Sequence, residues 1–111
     1  MILNSAMSAI GGGRTSYVNL ADETVSLSTS TSVTLPLSDS ISNYKFIIIA
    51  FGRNLYLFLS KIILDEQIFE IKGEMNTSSA TEITLTSDTS IFIDWKNKIA
   101  NSKRIRVLGA N

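Results

Sequence analysis

The chain contains no cysteine and no histidine. Without cysteine there is neither a disulfide framework nor a thiolate metal site, and the redox compartment is left open. Without histidine the commonest metal ligand, the usual general base and the side chain that titrates near neutral pH are all missing, so catalysis would have to run on carboxylates, lysines or hydroxyls. Proline occurs once and tryptophan once, and formal net charge is zero, with ten basic and ten acidic residues. A balanced charge gives no global pull toward nucleic acid or an anionic membrane. No apolar run reaches the roughly 18 residues of a membrane-spanning helix. The opening, Met1-Ile2-Leu3-Asn4-Ser5-Ala6-Met7, lacks the basic start and apolar stretch of a signal peptide.

What is present is apolar and hydroxylic. The 111 residues suffice for one domain, apolar residues make up 44 % of them, and mean hydropathy is +0.20. A domain this small keeps much of its surface in water, so that apolar fraction predicts further burial between subunits and hence self-association. Residues 1–16 form a small, polar, glycine-rich lead in which Gly11-Gly12-Gly13 reads as a flexible hinge. A phosphate-cradling loop would need a preceding strand and a following Gly-Lys-Ser/Thr or helix start, and Gly13-Arg14-Thr15 supplies neither.

Residues 17–111 read as a single β-sandwich domain. Short runs of β-branched and aromatic residues alternate with Ser/Thr/Asn/Asp clusters. Thr24–Leu27 and Ser32–Leu35 alternate polar with apolar, as half-buried strands do. Leu35–Asn43 is a polar corner that caps a short helical turn and feeds the wholly apolar Phe46–Phe51, expected to be a central strand covered on both faces. Gly52-Arg53-Asn54 then turns the chain into a hairpin with Leu55–Leu59. Leu55, Phe58, Leu59, Ile62 and Ile63 also fall at helical spacing, but the turn and the aromatic content favour a strand. Gln67–Lys72, Glu82–Thr86, Ser90–Trp95 and Arg104–Leu108 follow, the last with arginines facing away from Ile105. The fold class is therefore all-β, an antiparallel β-sandwich or jelly roll of about eight strands. Charge is uneven: seven acids lie between Ile62 and Asp94 against Lys72, while Lys96, Lys98, Lys103, Arg104 and Arg106 have no acid among them. A solvated acidic face beside a charged edge strand explains this more simply than complementary faces of an oligomer.

The ordered set Leu37-Ser38-Asp39-Ser40-Ile41-Ser42-Asn43-Tyr44, Phe46–Ile49, Ile83-Thr84-Leu85-Thr86-Ser87-Asp88-Thr89-Ser90-Ile91-Phe92-Ile93 and Arg104–Gly109 resembles the small C-terminal β domains of bacteriophage tail fibres and related tail or baseplate proteins. The resemblance covers the chain from about Val25 to Gly109. It implies a sandwich at the tip of a fibre, a homotrimer, loops that touch a host-surface glycan, other virion proteins as neighbours, and a virion location after synthesis in the host cytoplasm. Leu55–Leu64 is more apolar than a free member of that family should be. The opening methionine and the lack of a shaft sequence suggest an excised domain or a separate small virion or prophage protein. The competing readings are a structural virion protein of baseplate or capsid that binds no receptor, and a bacterial carbohydrate-binding module.

Catalytic, metal and cofactor sites are not expected. Asp65 with Glu66, and Asp94 with Glu82, are the only carboxylate pairs suggestive of glycoside hydrolysis, and both are more ordinary as solvated or cross-strand neighbours. Ser60-Lys61 and Ser102-Lys103, read as strand neighbours, would face opposite ways. Ser87–Ser90 carries one carboxylate, too few for calcium. Asn76-Thr77-Ser78 fits a glycosylation sequon, a pattern that arises often by chance. For a saccharide, the useful group is an aromatic face with amides and carboxylates nearby. Trp95 beside Asp94 and Asn97 is the first candidate, with Tyr56 and Tyr17 behind it, although a tryptophan is more often a core or subunit-interface residue. Nucleic-acid binding has only the basic tail and one adjacent aromatic to support it.

Overall fold

A computed structural model describes residues 17–66, 68–72, 75 and 80–111. The glycine-rich lead and the Asn76-Thr77-Ser78 sequon lie outside the described residues. Two four-stranded antiparallel sheets face each other. One has the order β1-β8-β3-β4, from Tyr17–Ser26, Ser102–Ala110, Phe46–Phe51 and Asn54–Leu59; the other has β2-β7-β6-β5, from Ser32–Pro36, Ser90–Asp94, Ala80–Ser87 and Ile68–Lys72. The expected all-β sandwich is what forms. First pairs with last and second with seventh, as in a jelly roll, but β3–β4 and β5–β6–β7 then run as simple meanders.

Alternation decides which side chains meet between the layers. Ile47, Ile49 and Phe51 of β3, Ile105 and Val107 of β8, Leu35 of β2, Ile83 and Leu85 of β6, and Ile91 and Ile93 of β7 form one buried cluster. At one open side Phe58 of β4 meets Phe69 of β5 with centroids 4.8 Å apart, joining the two sheets. Pro36 is tolerated because β2 is an edge strand.

Three expectations are amended. The segment after the hairpin is both strand and helix: β4 ends at Leu59, and α1, Ser60–Glu66, begins at once, burying Ile63 and leaving Ile62 about half exposed. The basic tail strand is not an edge, since β8 pairs with both β1 and β3. Its Arg104 and Arg106 stand away from Ile105, and Arg104 makes a two-pronged contact with Asp22 at 2.9 and 2.6 Å. The first strand starts seven residues earlier than Thr24. A register shift between Asn19 and Ala21 leaves Leu20 as the extra residue, and it turns into the core. That bulge interrupts the two-residue period over Asn19–Glu23, which hid the strand.

The hairpin follows its turn chemistry. Phe51 pairs with Asn54, leaving the two-residue loop Gly52-Arg53, and Gly52 has φ +59°. A two-residue hairpin loop with a positive φ at its first position takes glycine at least steric cost.

Candidate functional site

The five residues expected to bind a ligand are not brought together. Trp95 continues the inward alternation of Ile91 and Ile93 and is fully buried, so it is a core residue and offers no face to a sugar. Its backbone N–H donates to Thr31 O at 2.9 Å. Asp94 points the other way. Lys96 Nζ sits 3.4 Å from both Asp94 Oδ2 and Glu82 Oε2, whose residues are direct cross-strand partners. Partial desolvation pulls the Lys96 ammonium down, but the two carboxylate charges and their hydrogen bonds outweigh it and its pKa is raised. The Asp94–Glu82 pair considered for hydrolysis thus flanks Lys96 in an exposed ion triad, while Asp65 and Glu66 are exposed neighbours at the end of α1. Asn97 is exposed in the turn behind it, donating its N–H to Trp95 O at 2.8 Å. Tyr56 is half-buried and meets Phe51 edge-on at 6.1 Å. Tyr17, 56 % exposed, starts β1 opposite Ala110. Trp95 lies by the other end of that strand, where Leu27, just past Ser26, bonds to Ile99 and Asn101; the ends of the ten-residue β1 are roughly 30 Å apart.

The corner expected between the sheets builds the cleft instead. Ser40 caps the 3-10 turn Ile41–Asn43, its Oγ accepting from Ser42 N at 3.2 Å and donating to Asp88 Oδ2 at 2.8 Å. The β6–β7 turn also accepts Ile41 N through Asp88 O at 2.8 Å and Leu37 N through Thr89 O at 2.8 Å. Asp39 accepts from Tyr44 Oη at 2.9 Å, Ser40 N at 2.8 Å and Asn43 Nδ2 at 2.8 Å. These bonds, Tyr44's first, hold its carboxyl below the usual range, and the same Asp39 bond raises the Tyr44 phenol. Tyr44 lies flat enough on β8 that a Cβ on Gly109 would fall 2.6 Å from its Cγ. Gly109 has no positive φ, so the glycine is there for space.

The chain then enters β3, and α1 closes over its start: Ser60 N donates to Lys45 O at 3.0 Å. Between corner, strand and helix lies a cleft of about 510 Å³. Tyr44, Phe46, Leu59 and Leu64 wall it, Lys45, Lys61 and Asp65 stand at its mouth, and Ser42 and Ser60 add hydroxyls. Ser60 is only 3 % exposed, and its Oγ has no hydrogen-bond partner among the described residues. A buried hydroxyl with no partner costs about 1–3 kcal/mol, so a ligand that met it would recover that loss.

The cleft has the volume and mixed lining of a small-molecule site. It presents apolar contact, one buried donor-acceptor and charges of both signs. Ser60 and Lys61 do not act as a nucleophile and its base through adjacency, because neighbouring helix positions diverge by about 100°, and here the serine is buried while the lysine is exposed. Ser102 and Lys103 lie on opposite faces of β8. Among the described residues no cluster of three or more acids could hold a metal ion. Sequence reasoning found the corner but not the cleft, because Leu59 and Leu64 reach it only through the change from strand to helix at Ser60. The available signal was the Asp39–Tyr44 spacing across a capped turn, next to an apolar segment richer than a free sandwich needs. The chain matches no protein-family model, no curated protein and no solved structure, and its functional reading rests on these residues and their geometry.

Proposed function

We propose that the chain is a non-enzymatic binding and assembly module of a virion surface, of the kind found at bacteriophage tail-fibre tips, and that its cleft engages a host-surface saccharide. The observation that carries this reading is the unpartnered Ser60 hydroxyl in a cleft walled by Tyr44 and Phe46: a sugar ring offers an apolar face to such walls and hydroxyls to such an atom. Assembly as a homotrimer belongs to the same proposal, with avidity supplying what one small cleft lacks.

Stability and binding separate the functions of Ser60. Ser60→Ala removes the orphaned atom, so melting temperature holds or rises while saccharide affinity falls. Lys61→Glu, at an exposed position, changes binding and leaves melting unaltered. A wild-type protein that binds nothing on a glycan array at high avidity, and does not compete with adsorption to cells, ends the receptor reading. A purely structural virion role is then favoured by Leu59, Ile62 and Ile68, which are 48, 52 and 56 % exposed and suit contact with neighbouring subunits. Solution mass tests the trimer directly, and a strict monomer at micromolar concentration overturns it.

A further inference from the structure

Two lysines meet at the mouth of the cleft with no acid paired to either. Lys45 immediately precedes β3, and Lys61 lies in the first turn of α1. The bond from Ser60 N to Lys45 O, 3.0 Å long, ties the backbone of one lysine to the residue before the other, so the contact that seats the helix also brings both to one opening. Among the described residues the ion pairs are Lys96 with Glu82 and Asp94, and Arg104 with Asp22, and neither Lys45 nor Lys61 takes part in one. Both are exposed. Like charges gathered at the mouth of a cleft with apolar walls raise the local concentration of anions. An ammonium has three donors and no acceptor, so the group that satisfies both lysines is an acceptor carrying negative charge.

The rest of the lining limits how much charge that group carries. Asp65, one turn on from Lys61 along α1, is the single acid among the lining residues and stands against the two lysines. A singly charged carboxylate balances the difference, whereas a phosphate, with about −1.5 to −2, would bring like charge up to Asp65. The tyrosine wall is fixed before any ligand arrives. Tyr44 Oη donates to Asp39 Oδ2 at 2.9 Å, and that carboxylate is held further by Ser40 N and Asn43 Nδ2. With its hydroxyl engaged, Tyr44 offers its ring, and hydrogen bonding falls to the unpartnered Ser60 hydroxyl, the two lysines and Asp65. A wall set in advance costs little ordering on binding.

We propose, on the saccharide reading of this same cleft, that its ligand is an acidic sugar: a ring bearing one carboxylate, as in a uronic or an ulosonic acid. The carboxylate is held between Lys45 and Lys61, the ring lies along Tyr44 and Phe46, one hydroxyl meets Ser60 Oγ and another donates to Asp65. Each lysine, being exposed, contributes about two- to fivefold in affinity, and the pair roughly tenfold.

The test compares methyl glycosides of glucose, glucuronic acid, glucuronic acid methyl ester and glucose 6-phosphate, with N-acetylneuraminic acid as the ulosonic arm. Each is titrated against the intact protein and against Lys45→Gln combined with Lys61→Gln. Glucuronate or neuraminate should bind roughly tenfold more tightly than glucose, and whichever acid does so names the source of the carboxylate. Esterification should return glucuronate to the level of glucose. The preference should also shrink near 1 M salt, where screening acts within about 3 Å. In the lysine variant acidic and neutral sugars should bind alike, with melting unchanged because both positions are exposed. Glucose bound as tightly as either acid overturns the inference and leaves the saccharide reading standing. Tighter binding of the phosphate ester than of both carboxylates overturns it as well, and so does an acid preference that survives loss of the two lysines. Failure of every probe to bind ends the inference and the saccharide reading together.

Discussion

Gly109 gives the sharpest test of the corner geometry, because the same substitution should change sign with its neighbour. A Cβ at this position would stand 2.6 Å from Tyr44 Cγ, 2.7 Å from Cδ1 and 2.8 Å from Cδ2. Cγ is the root of the ring, so no rotation about the outer bond clears it and Tyr44 must swing bodily. Overpacking of this kind costs about 1–3 kcal/mol. Against it, Gly→Ala at an ordinary φ gains about 0.4–1 kcal/mol from the unfolded chain. Gly109→Ala should therefore lose about 1–2 kcal/mol net, lowering the melting temperature by roughly 4–10 °C in a domain of this size. With Tyr44→Ala already made, the obstruction is gone and only the entropic gain remains, so Gly109→Ala should then stabilise. Thermal melts of the four proteins of the cycle measure the coupling. Equal penalties for Gly109→Ala in both backgrounds would refute the account of Tyr44 resting on bare backbone.

Ile48→Asp places an unpaired charge in a strand buried on both faces, and a loss above about 3 kcal/mol should unfold or dissociate the protein; native melting behaviour would contradict the buried placement. Trp95→Ala should cost about 3–5 kcal/mol and leave the saccharide affinity per folded molecule unchanged, so selective loss of binding in a stable variant would return Trp95 to the site. Asp39 and Asp22 both have carboxyls held below their ordinary value of 3.8 in the folded state. The unfolded chain then binds protons more readily, so the stabilisation is complete above that value and is lost as pH falls through the lower folded ones. Asp39→Asn should flatten the acid limb of stability against pH between pH 4 and the acid transition, and an unchanged limb would remove Asp39 from the explanation.

Much of the architecture was decided locally. Alternation in Ser32–Leu35, Glu82–Thr86 and Ser90–Ile93, the two-residue turn at Gly52-Arg53 and the apolar Phe46–Phe51 each prescribe their own conformation, because a two-residue period needs only one buried face to act on. The capping contact of Ser40 is equally local, as the N–H it accepts belongs to Ser42, two residues on, although its bond to Asp88 is tertiary. The strand-to-helix change at Ser60 was not legible, since Leu55–Leu64 satisfies both periods and only docking against the corner separates them. The bulge at Leu20 was hidden for a related reason: its value appears only when β8 supplies the register.

The site shows the same division more plainly. Residue chemistry by itself removed thiolates and imidazoles and marked Trp95 as a large aromatic beside polar groups, but whether an indole faces water depends on strand parity and on what the facing sheet brings. Parity carried Trp95 inward with Ile91 and Ile93, while chain reversal carried Tyr44, Leu59 and Leu64, distant in order and unremarkable in type, to one cleft. Patterning sets which side of an element is apolar; only the packed layers decide which apolar side remains open to a ligand.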